Sequence, residues 1–365
     1  GKSNIFSYNY WSSPVYPTTS GINNSLYSIS NILKSGVDAN NPLNINFTSA
    51  SQDGSTTGEI ITVADYWIWK YSSQPGAYAN WQHLRSTGEI KPGEGYTMKG
   101  TGAGIQNYVF KGKPNNGDIT HQINGNDIYL VGNPYASALN ANQFIDDNIG
   151  VVANQGDIFG EPVTTGALYF WEHFTTNNTH ILEQYEGGYA TYTKLGGVAA
   201  VAHQDVSSNG IGTIRPGKYV PVGQGFFVKA SASGGDIKFN NGQRYFKKEG
   251  GTSSTGVDYS IFTRNSNTNI PTESPDIEEN ITSSIQRLYF KFTNTDGFQR
   301  ELLLGVKEGL VDGLNYGYDA RLLDNFISDC SWLLNENSQE NLVIQGIGSI
   351  YDNLQLPLNI KADKT

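Results

Sequence analysis

The chain has 365 residues, more than the roughly 100–200 residues of a usual domain, which indicates two or three domains. Its 24 Lys and Arg against 34 Asp and Glu give a net charge of −10, so a nucleic-acid partner, which needs a basic surface, is not expected. The single Cys excludes an internal disulfide and a cysteine-based zinc site, and the sequence has no apolar run of about 18 residues that would predict a transmembrane segment.

Short apolar or alternating segments separated by Gly, Pro or Asn follow one another along the chain, which is typical of β-strands. The clearest, in chain order, are Ile60–Val63, Tyr66–Trp69, Ile128–Val131, Gly225–Val228, Leu288–Phe292 and Leu342–Gln345. Helical spacing is rare, and the best candidate helix is Ala138–Asn148, capped by Ser137. Its buried face would carry Leu139, Phe144 and Ile145. The predicted fold class is all-β, with at most one or two short helices.

The chain contains a repeated order of elements. Ile90–Lys99 and Val220–Lys229 share the pattern Gly-x-Gly, an aromatic residue, two strand residues and Lys. Two further pairs precede them in the same order: Tyr66–Lys70 with Leu168–Glu172, and Tyr10–Pro14 with Leu130–Pro134. Three matches in one order predict tandem duplicated β-sandwich-like units.

This duplication predicts the domain organisation. Residues 1–115 form the first β domain, repeat copy 1, and residues 116–248 form the second, repeat copy 2. Residues 249–284 are polar and contain Pro, as linkers do, although Tyr259–Phe262 could add one edge strand. Strand patterning resumes after Ile285, so residues 285–365 are predicted to be a third β-sandwich domain.

Each Gly-x-Gly precedes a strand and not a helix, so the sequence does not predict a dinucleotide-binding loop. Gly93, Gly95, Gly223 and Gly225 are interpreted as structural turn residues. A bulge or a turn with positive φ would lead from them into a central strand. A phosphate-binding role is the disfavoured alternative.

Five histidines are scattered along the chain without metal-ligand spacing: His83, His121, His173, His180 and His203. The segment that holds His173 and His180 is rich in Thr and Asn and is interpreted as a solvated loop. No catalytic residue and no metal site is predicted, and no cofactor is expected.

Two alternatives with acidic residues remain open. Glycoside hydrolysis needs two carboxylates that meet only in the fold, and the chain offers Glu172, Glu183, Asp146 and Asp147 outside any motif. The oxygen-rich segments Asp38–Asn41 and Asp146–Asn148 could hold calcium, but Asx turns explain them as well.

Aromatic side chains provide the candidate binding surface. Tyr66, Trp67 and Trp81 could stack on sugar rings. Strand alternation would place Tyr66 on one side and Trp67 and Trp69 on the other, so at most half of such residues could reach a ligand. Trp69 and Trp171, which the repeat shares, are interpreted as core residues.

Several motifs along the chain resemble the stalk region of bacterial type IX secretion cargo proteins: Tyr10–Val15, Lys91–Tyr96, Val131–Tyr135, Tyr169–His173 and Pro221–Phe227. Others look like the module that precedes the sorting domain in that family: Arg300–Gly305, Asn315–Ala320, Val343–Gly346 and Leu356–Leu358. The resemblance covers nearly the whole chain, and the order of its motifs is more specific than any one of them.

The resemblance implies a secreted or surface-attached protein that the type IX translocon carries across the bacterial outer membrane. A β-sandwich sorting domain, recognised by an outer-membrane barrel shuttle, would be expected to begin after Thr365. The expected location is extracellular or on the cell surface, and the expected function is that of a non-enzymatic adhesin or a stalk and display module. The alternative is a carbohydrate-binding module of a secreted polysaccharide-degrading enzyme, with a glycan or a surface ligand as partner.

Overall fold

The computed structural model describes residues 4–56, 60–72, 81–102, 107–150, 161–175, 177–203, 206–207, 209–247, 285–295, 297–324, 326–334 and 340–362. In these residues the fold is all-β, with several antiparallel or mixed sheets and two short α-helices, as the sequence predicts. None of the described helices has the length and hydropathy to span a membrane.

The first region is built around a four-stranded sheet. The strands of the whole region are β1 (Tyr8–Trp11), β2 (Val15–Tyr16), β3 (Leu33–Ser35), β4 (Leu43–Asn44), β5 (Asn46–Thr48), β6 (Thr62–Ala64), β7 (Trp69–Tyr71), β8 (Trp81–His83), β9 (Tyr96–Lys99), β10 (Tyr108–Phe110) and β11 (Lys113–Pro114). The main sheet has the order β1-β9-β7-β8. From its inner face, Tyr96 and Met98 pack into a core that includes the short helix α1 (Ile29–Ile32).

The second region is built around a five-stranded sheet of order β13-β19-β15-β16-β17. The strands of the whole region are β12 (Ile119–Asn124), β13 (Ile128–Gly132), β14 (Ala138–Asn140), β15 (Thr164–His173), β16 (Gly187–Thr193), β17 (Gly196–Val198), β18 (Tyr219–Val220), β19 (Gly225–Ala230), β20 (Gly234–Phe239) and β21 (Arg244–Tyr245). Helix α2 (Ala141–Ile149) covers one face, where the rings of Phe144 and Phe226 meet edge to face at 5.6 Å.

Helix α2 begins three residues later than the sequence predicts. Ala138 and Leu139 belong to β14 because they pair with β21 and β18 on either side. The N-cap is therefore Asn140, not Ser137: its side chain accepts hydrogen bonds from the N–H groups of residues 142 and 143. Phe144 and Ile145 lie in the core as predicted.

The two main sheets repeat one strand order, as the duplication predicts. β1, β9, β7 and β8 correspond to β13, β19, β15 and β16. The first two strands of each sheet also pair in the same register. Trp11 lies opposite Tyr96 in copy 1, and their counterparts Val131 and Phe226 lie opposite each other in copy 2.

One of the three matches is displaced by two residues. Trp69 lies opposite Thr97, and Tyr169 lies opposite Phe227, the counterpart of Thr97. The structural counterpart of Trp69 is therefore Tyr169, and the alignment of Trp69 with Trp171 was wrong.

The strand predicted at Tyr66–Trp69 is also wrong in its first half. Asp65–Trp67 forms a 3-10 helix, and β7 begins only at Trp69. The turn is held by the buried carboxylate of Asp65, which accepts hydrogen bonds from Arg85 and from the hydroxyl of Ser86. Two further 3-10 helices among the described residues are Leu182–Gln184 and Asn241–Gln243.

The third region contains β22 (Gln286–Thr293), β23 (Gln299–Val306), β24 (Ala320–Arg321), β25 (Asp329–Leu333), β26 (Asn341–Ile347) and β27 (Leu358–Lys361). They form one sheet of order β22-β23-β26-β25-β27, with β24 paired to β26. Its core is shared with the second region: Leu303 and Ile344 join Tyr169 and Phe227 in one cluster of buried side chains. The five-stranded sheet is therefore covered on both faces.

The linker predicted at 249–284, with its candidate strand Tyr259–Phe262, lies outside the described residues. The domain boundaries remain a prediction.

Candidate functional site

The two Gly-x-Gly turns lie where copy 1 meets copy 2. Gly93 and Gly223 have φ of +87° and +72°, which agrees with the predicted positive-φ turns. The N–H of Gly132 donates to the carbonyl of Gly93 at 3.0 Å, and the N–H of Ser12 donates to the carbonyl of Gly223 at 2.8 Å. Ser12 is the counterpart of Gly132, so each copy makes the same contact to the other.

The second glycine of each turn is required by a close approach of backbones. A Cβ atom at Gly95 would lie 2.8 Å from the carbonyl oxygen of Val131, and one at Gly225 would lie 3.0 Å from the backbone N of Trp11. Val131 and Trp11 are themselves counterparts. The contact is thus reciprocal, like the isologous interface of a two-fold dimer, but within one chain. We call it the copy interface.

The residue between the glycines adds a buried charge to this interface. The Glu94 carboxylate is 3.0 Å from Lys70 Nζ and accepts hydrogen bonds from Tyr129 Oη at 2.8 Å and from the N–H of Lys91 at 2.8 Å. Burial raises the pKa of Glu94, but Lys70 and these donors outweigh it and hold the pKa below its usual value. The counterpart in copy 2 is the neutral Gln224.

A buried lysine forms a second link between the copies. The side chain of Lys99 is enclosed by the rings of Tyr8, Trp67 and Tyr185, with Nζ 3.4 Å from the centre of the Trp67 ring. Nζ also lies 3.0 Å from His180 Nδ1 and 2.6 Å from Tyr185 Oη. We call these five residues the lysine cage; His180 and Tyr185 come from copy 2.

The hydrogen bonds of the lysine cage assign its protons. Lys99 donates to His180 Nδ1, so Nε2 of the ring carries the proton and donates to Asp53 at 2.7 Å. Burial lowers the pKa of Lys99 to about 7. An amine with such a pKa can act as a nucleophile, but Lys99 is only 2% exposed and its own aromatic partners enclose it. The lysine cage is therefore interpreted as a structural contact that holds the two copies together.

The shifted pKa of Lys99 predicts how stability changes with pH. The folded-state pKa of about 7 lies below the usual 10.5, so between these values the unfolded chain binds more protons. The free energy of unfolding should therefore rise between pH 7 and pH 9, with a slope of up to about 1.4 kcal/mol per pH unit. Urea unfolding of the wild type and of Lys99→Met at both pH values measures this rise as the difference between the two. If the difference in the free energy of unfolding between the wild type and Lys99→Met is the same at both pH values, the aromatic rings keep Lys99 charged.

One face of the copy 1 sheet carries a group of partly exposed aromatic rings. The cross-strand pairs Trp69–His83 and Tyr71–Trp81 place four rings on this face. His83 stacks on Trp69 at 4.1 Å with an angle of 10° between the ring planes, and Tyr66 meets both edge to face. Burial and Arg85 lower the pKa of His83, which favours the neutral ring in this stack. We call these five residues the aromatic surface.

The structure separates the three residues proposed for sugar stacking. Tyr66 and Trp81 both lie on the aromatic surface and are each 37% exposed. Trp67 is 8% exposed, with His180 stacked on it at 4.9 Å and Lys99 over its ring, so little of the ring can reach a ligand. The alternation argument failed here because Tyr66 and Trp67 lie in a 3-10 turn.

The interpretation of Trp69 and Trp171 as core residues was wrong. Both are half-buried, and neither belongs to a core cluster among the described residues. Trp171 packs between Tyr10 and Tyr189 where the outer faces of the two sheets meet.

The candidate carboxylates have separate structural roles. Asp146 pairs with Lys194, and Asp147 accepts hydrogen bonds from the side chains of three neighbours, Gln143, Asn240 and Gln243. Glu172 is buried and accepts from the backbone N–H groups of residues 213 and 214, whereas Glu183 lies in an exposed 3-10 turn. Asp146, Asp147 and Glu172 are thus each held by contacts of the scaffold.

The oxygen-rich segments proposed for calcium contain local hydrogen bonds. Asp38 accepts a hydrogen bond from the N–H of Asn40 at 2.9 Å, as in an Asx turn. Within the described ranges, no group of three or more His, Cys, Asp or Glu side chains is placed to hold a metal ion.

Sequence reasoning missed the lysine cage and misinterpreted two histidines. His173 is 6% exposed and contacts the carbonyl of Tyr8, and His180 closes the cage, so the solvated-loop interpretation was wrong. The available signal was the Lys that follows Tyr96, Thr97 and Met98 at the end of the predicted strand and recurs as Lys229.

One of the comparisons with known proteins identifies a family for this chain. A family model described as Domain of unknown function (DUF8693) matches residues 2–365. Neither the curated proteins nor the solved structures gave a significant match to this chain.

Proposed function

We propose that this chain, which belongs to the DUF8693 family, is a non-enzymatic adhesion and display module of an exported protein. The observation that carries the proposal is the aromatic surface, held on a scaffold whose regions are joined by buried contacts. Its partner would be a glycan or another surface ligand.

The scaffold supports the proposal because several independent contacts oppose movement between its parts. The copy interface and the lysine cage join copy 1 to copy 2, and the shared core joins copy 2 to the third region. The third region is also tied to copy 2 by an ion pair between Arg215 and Glu301. A module of this kind would hold its binding surface in a fixed position and would resist an applied force without bending at a hinge.

The aromatic surface supports an adhesive role because soluble proteins rarely expose clustered rings without a use for them. Tyr and Trp offer a large rigid contact area at a small cost in side-chain entropy. Tyr66 and Trp81 stand at the two ends of the surface, with the Trp69–His83 stack between them.

Type IX export is part of the proposal and rests on the order of the sequence motifs alone. The translocon and an outer-membrane barrel shuttle would be transient partners, and the location would be extracellular or on the cell surface. Loss of the protein from the surface of cells that lack the translocon would support this route, and unchanged surface exposure would contradict it.

Carbohydrate binding is the second candidate function, favoured by the ring geometry. A flat stack such as Trp69–His83 presents a face on which the CH groups of a sugar ring can pack. In this case the chain would target a secreted polysaccharide-degrading enzyme to its substrate.

The adhesive role predicts a specific loss of binding. Beads coated with the chain should adhere to the polysaccharide surface of cells, and the double variant Tyr66→Ser/Trp81→Ala should reduce their retention under flow at least fivefold. The reason is that the two substitutions remove both exposed ends of the aromatic surface. A fluorescence count of retained beads measures the effect.

The matched control is Phe246→Ala, because Phe246 is 88% exposed and lies outside the aromatic surface. It should retain beads as the wild type does. Equal retention by the double variant, or an equal loss in the control, would contradict the assignment.

A further inference from the structure

A polar cleft lies between copy 2 and the third region. Its volume is about 320 Å³, within the range of small-molecule sites. Copy 2 contributes Asn126 and Lys229, and the third region contributes Tyr316, Arg321 and Glu340. Ala230 and Ala232 also line it, and their small side chains leave room for a ligand.

Lys229 is the counterpart of Lys99, but its surroundings are different. Lys99 is enclosed by three rings and is 2% exposed, whereas Lys229 is half-buried and lines the cleft. In the described part of the chain, its ammonium group has no ion-pair or hydrogen-bond partner. Glu340 lies near it: the hydrogen bond and the charge of Arg321 lower the pKa of the Glu340 carboxyl, and the charge of Lys229 adds to this effect. The same repeat position thus holds the enclosed Lys99 of the lysine cage in copy 1 and the cation Lys229, which is available to a ligand, in copy 2.

The charges of the cleft restrict its ligand. Lys229 and Arg321 against Glu340 give 2 − 1 = +1, so the cleft matches a single negative charge. Glu340 binds the Nε and Nη2 edge of Arg321, which leaves the Nη1 donors of the guanidinium. A free inorganic phosphate or sulfate ion carries more oxygen acceptors and more charge than this set balances.

The remaining groups match hydroxyl groups. Asn126 and Tyr316 can each donate and accept a hydrogen bond, and the carboxylate of Glu340 accepts from a hydroxyl. Carboxylate binding by a Lys and an Arg, beside three groups that bind hydroxyls, fits a sugar acid.

We propose that this cleft binds a hexuronate unit of an acidic polysaccharide, with Lys229 and Arg321 on its carboxylate. This inference rests on the proposed adhesive function and names a ligand class for it. The binding site is separate from the aromatic surface, so each can be tested without the other.

Calorimetric titration of the full chain with trigalacturonate tests the proposal, with maltotriose as the neutral counterpart. Trigalacturonate should bind at least tenfold more tightly, and 0.5 M NaCl should weaken its binding because exposed charges are screened. Lys229→Met should reduce the affinity at least tenfold. Lys238→Met is the matched control, since Lys238 is exposed on β20 and its loss should leave binding unchanged.

The outcomes separate the two proposals. Equal affinity for both trisaccharides, or full affinity in Lys229→Met, would overturn the uronate site. Bead retention that survives in Lys229→Met but fails in Tyr66→Ser/Trp81→Ala would leave the adhesive function standing without the cleft. Equally tight binding of acetate would show a general carboxylate site and would overturn the sugar assignment.

Discussion

Gly95→Ala is expected to lower the free energy of unfolding by about 3 kcal/mol, the upper part of the range for a side chain forced into a packed region. Its Cβ atom would lie 2.7 Å from Leu130 Cγ and 2.8 Å from the carbonyl oxygen of Val131. The carbonyl belongs to the backbone of copy 2 and cannot rotate away, so the copies must separate to accept the methyl group. Urea unfolding at pH 7 measures the loss.

Gly217→Ala is the matched control, because a Cβ atom there meets no atom within 4 Å. It should leave stability unchanged or raise it by about 0.5 kcal/mol by restricting the unfolded chain. The free energy of unfolding of Gly225→Ala should lie between those of Gly95→Ala and Gly217→Ala. The closest contacts of its Cβ atom, to backbone atoms of Trp11 and Tyr10, would be at 3.0 Å. Equal stability of Gly95→Ala and Gly217→Ala would contradict the copy interface.

Glu94→Ala is expected to cost about 3 kcal/mol, because it leaves Lys70 charged and unpaired where its side chain is 16% exposed. The hydrogen bond from Tyr129 of copy 2 is lost as well. The lowered pKa of Glu94 adds a pH dependence: its contribution is present above the usual pKa of Glu and is lost as the pH falls through the lower folded-state value. Urea unfolding at pH 7 and pH 3 measures both effects.

Two variants identify the charge as the cause. Glu94→Gln copies Gln224 of the other repeat and should cost less than Glu94→Ala, since shape and one acceptor remain. The double variant Glu94→Gln/Lys70→Met should recover part of the loss, because no buried charge is left unpaired. Glu340→Ala, which breaks the more exposed pair with Arg321, should cost at most about 1 kcal/mol. An equal cost for Glu94→Ala and Glu340→Ala would contradict the account.

The fold class, the duplication and the turn glycines could be predicted because each depends on local sequence. Alternating apolar residues mark strands, and a glycine at a positive φ has few substitutes. The repeat was visible because Gly93–Lys99 and Gly223–Lys229 preserve the same spacing. Their reciprocal contact was not predictable, because it depends on how two sheets pack.

The site was less predictable because local pattern is overridden by tertiary contacts. Asp65 is satisfied by Arg85 and Ser86, so a segment that alternates like a strand turns inward at Trp67 instead. The lysine cage brings together Lys99 and His180, which lie 81 residues apart, and no motif connects them.

The cleft is a further case of this kind. Lys229 occupies the same repeat position as Lys99, and only its neighbours in the fold, among them Arg321 and Glu340 of the third region, distinguish its role. Sequence similarity between the copies therefore predicts the strand but not the surroundings of its last residue.

We infer that the two copies form one rigid scaffold through their reciprocal contact. The N–H groups of Gly95 and Gly132 donate across the copy interface to Leu130 and Gly93, so native-state hydrogen exchange at these two groups measures whether the interface opens. Both groups are expected to exchange only through global unfolding, with the same free energy as Val131 in the core of copy 2. Exchange of these two groups at a much lower free energy than Val131 would show that the copies separate freely, and would contradict this inference.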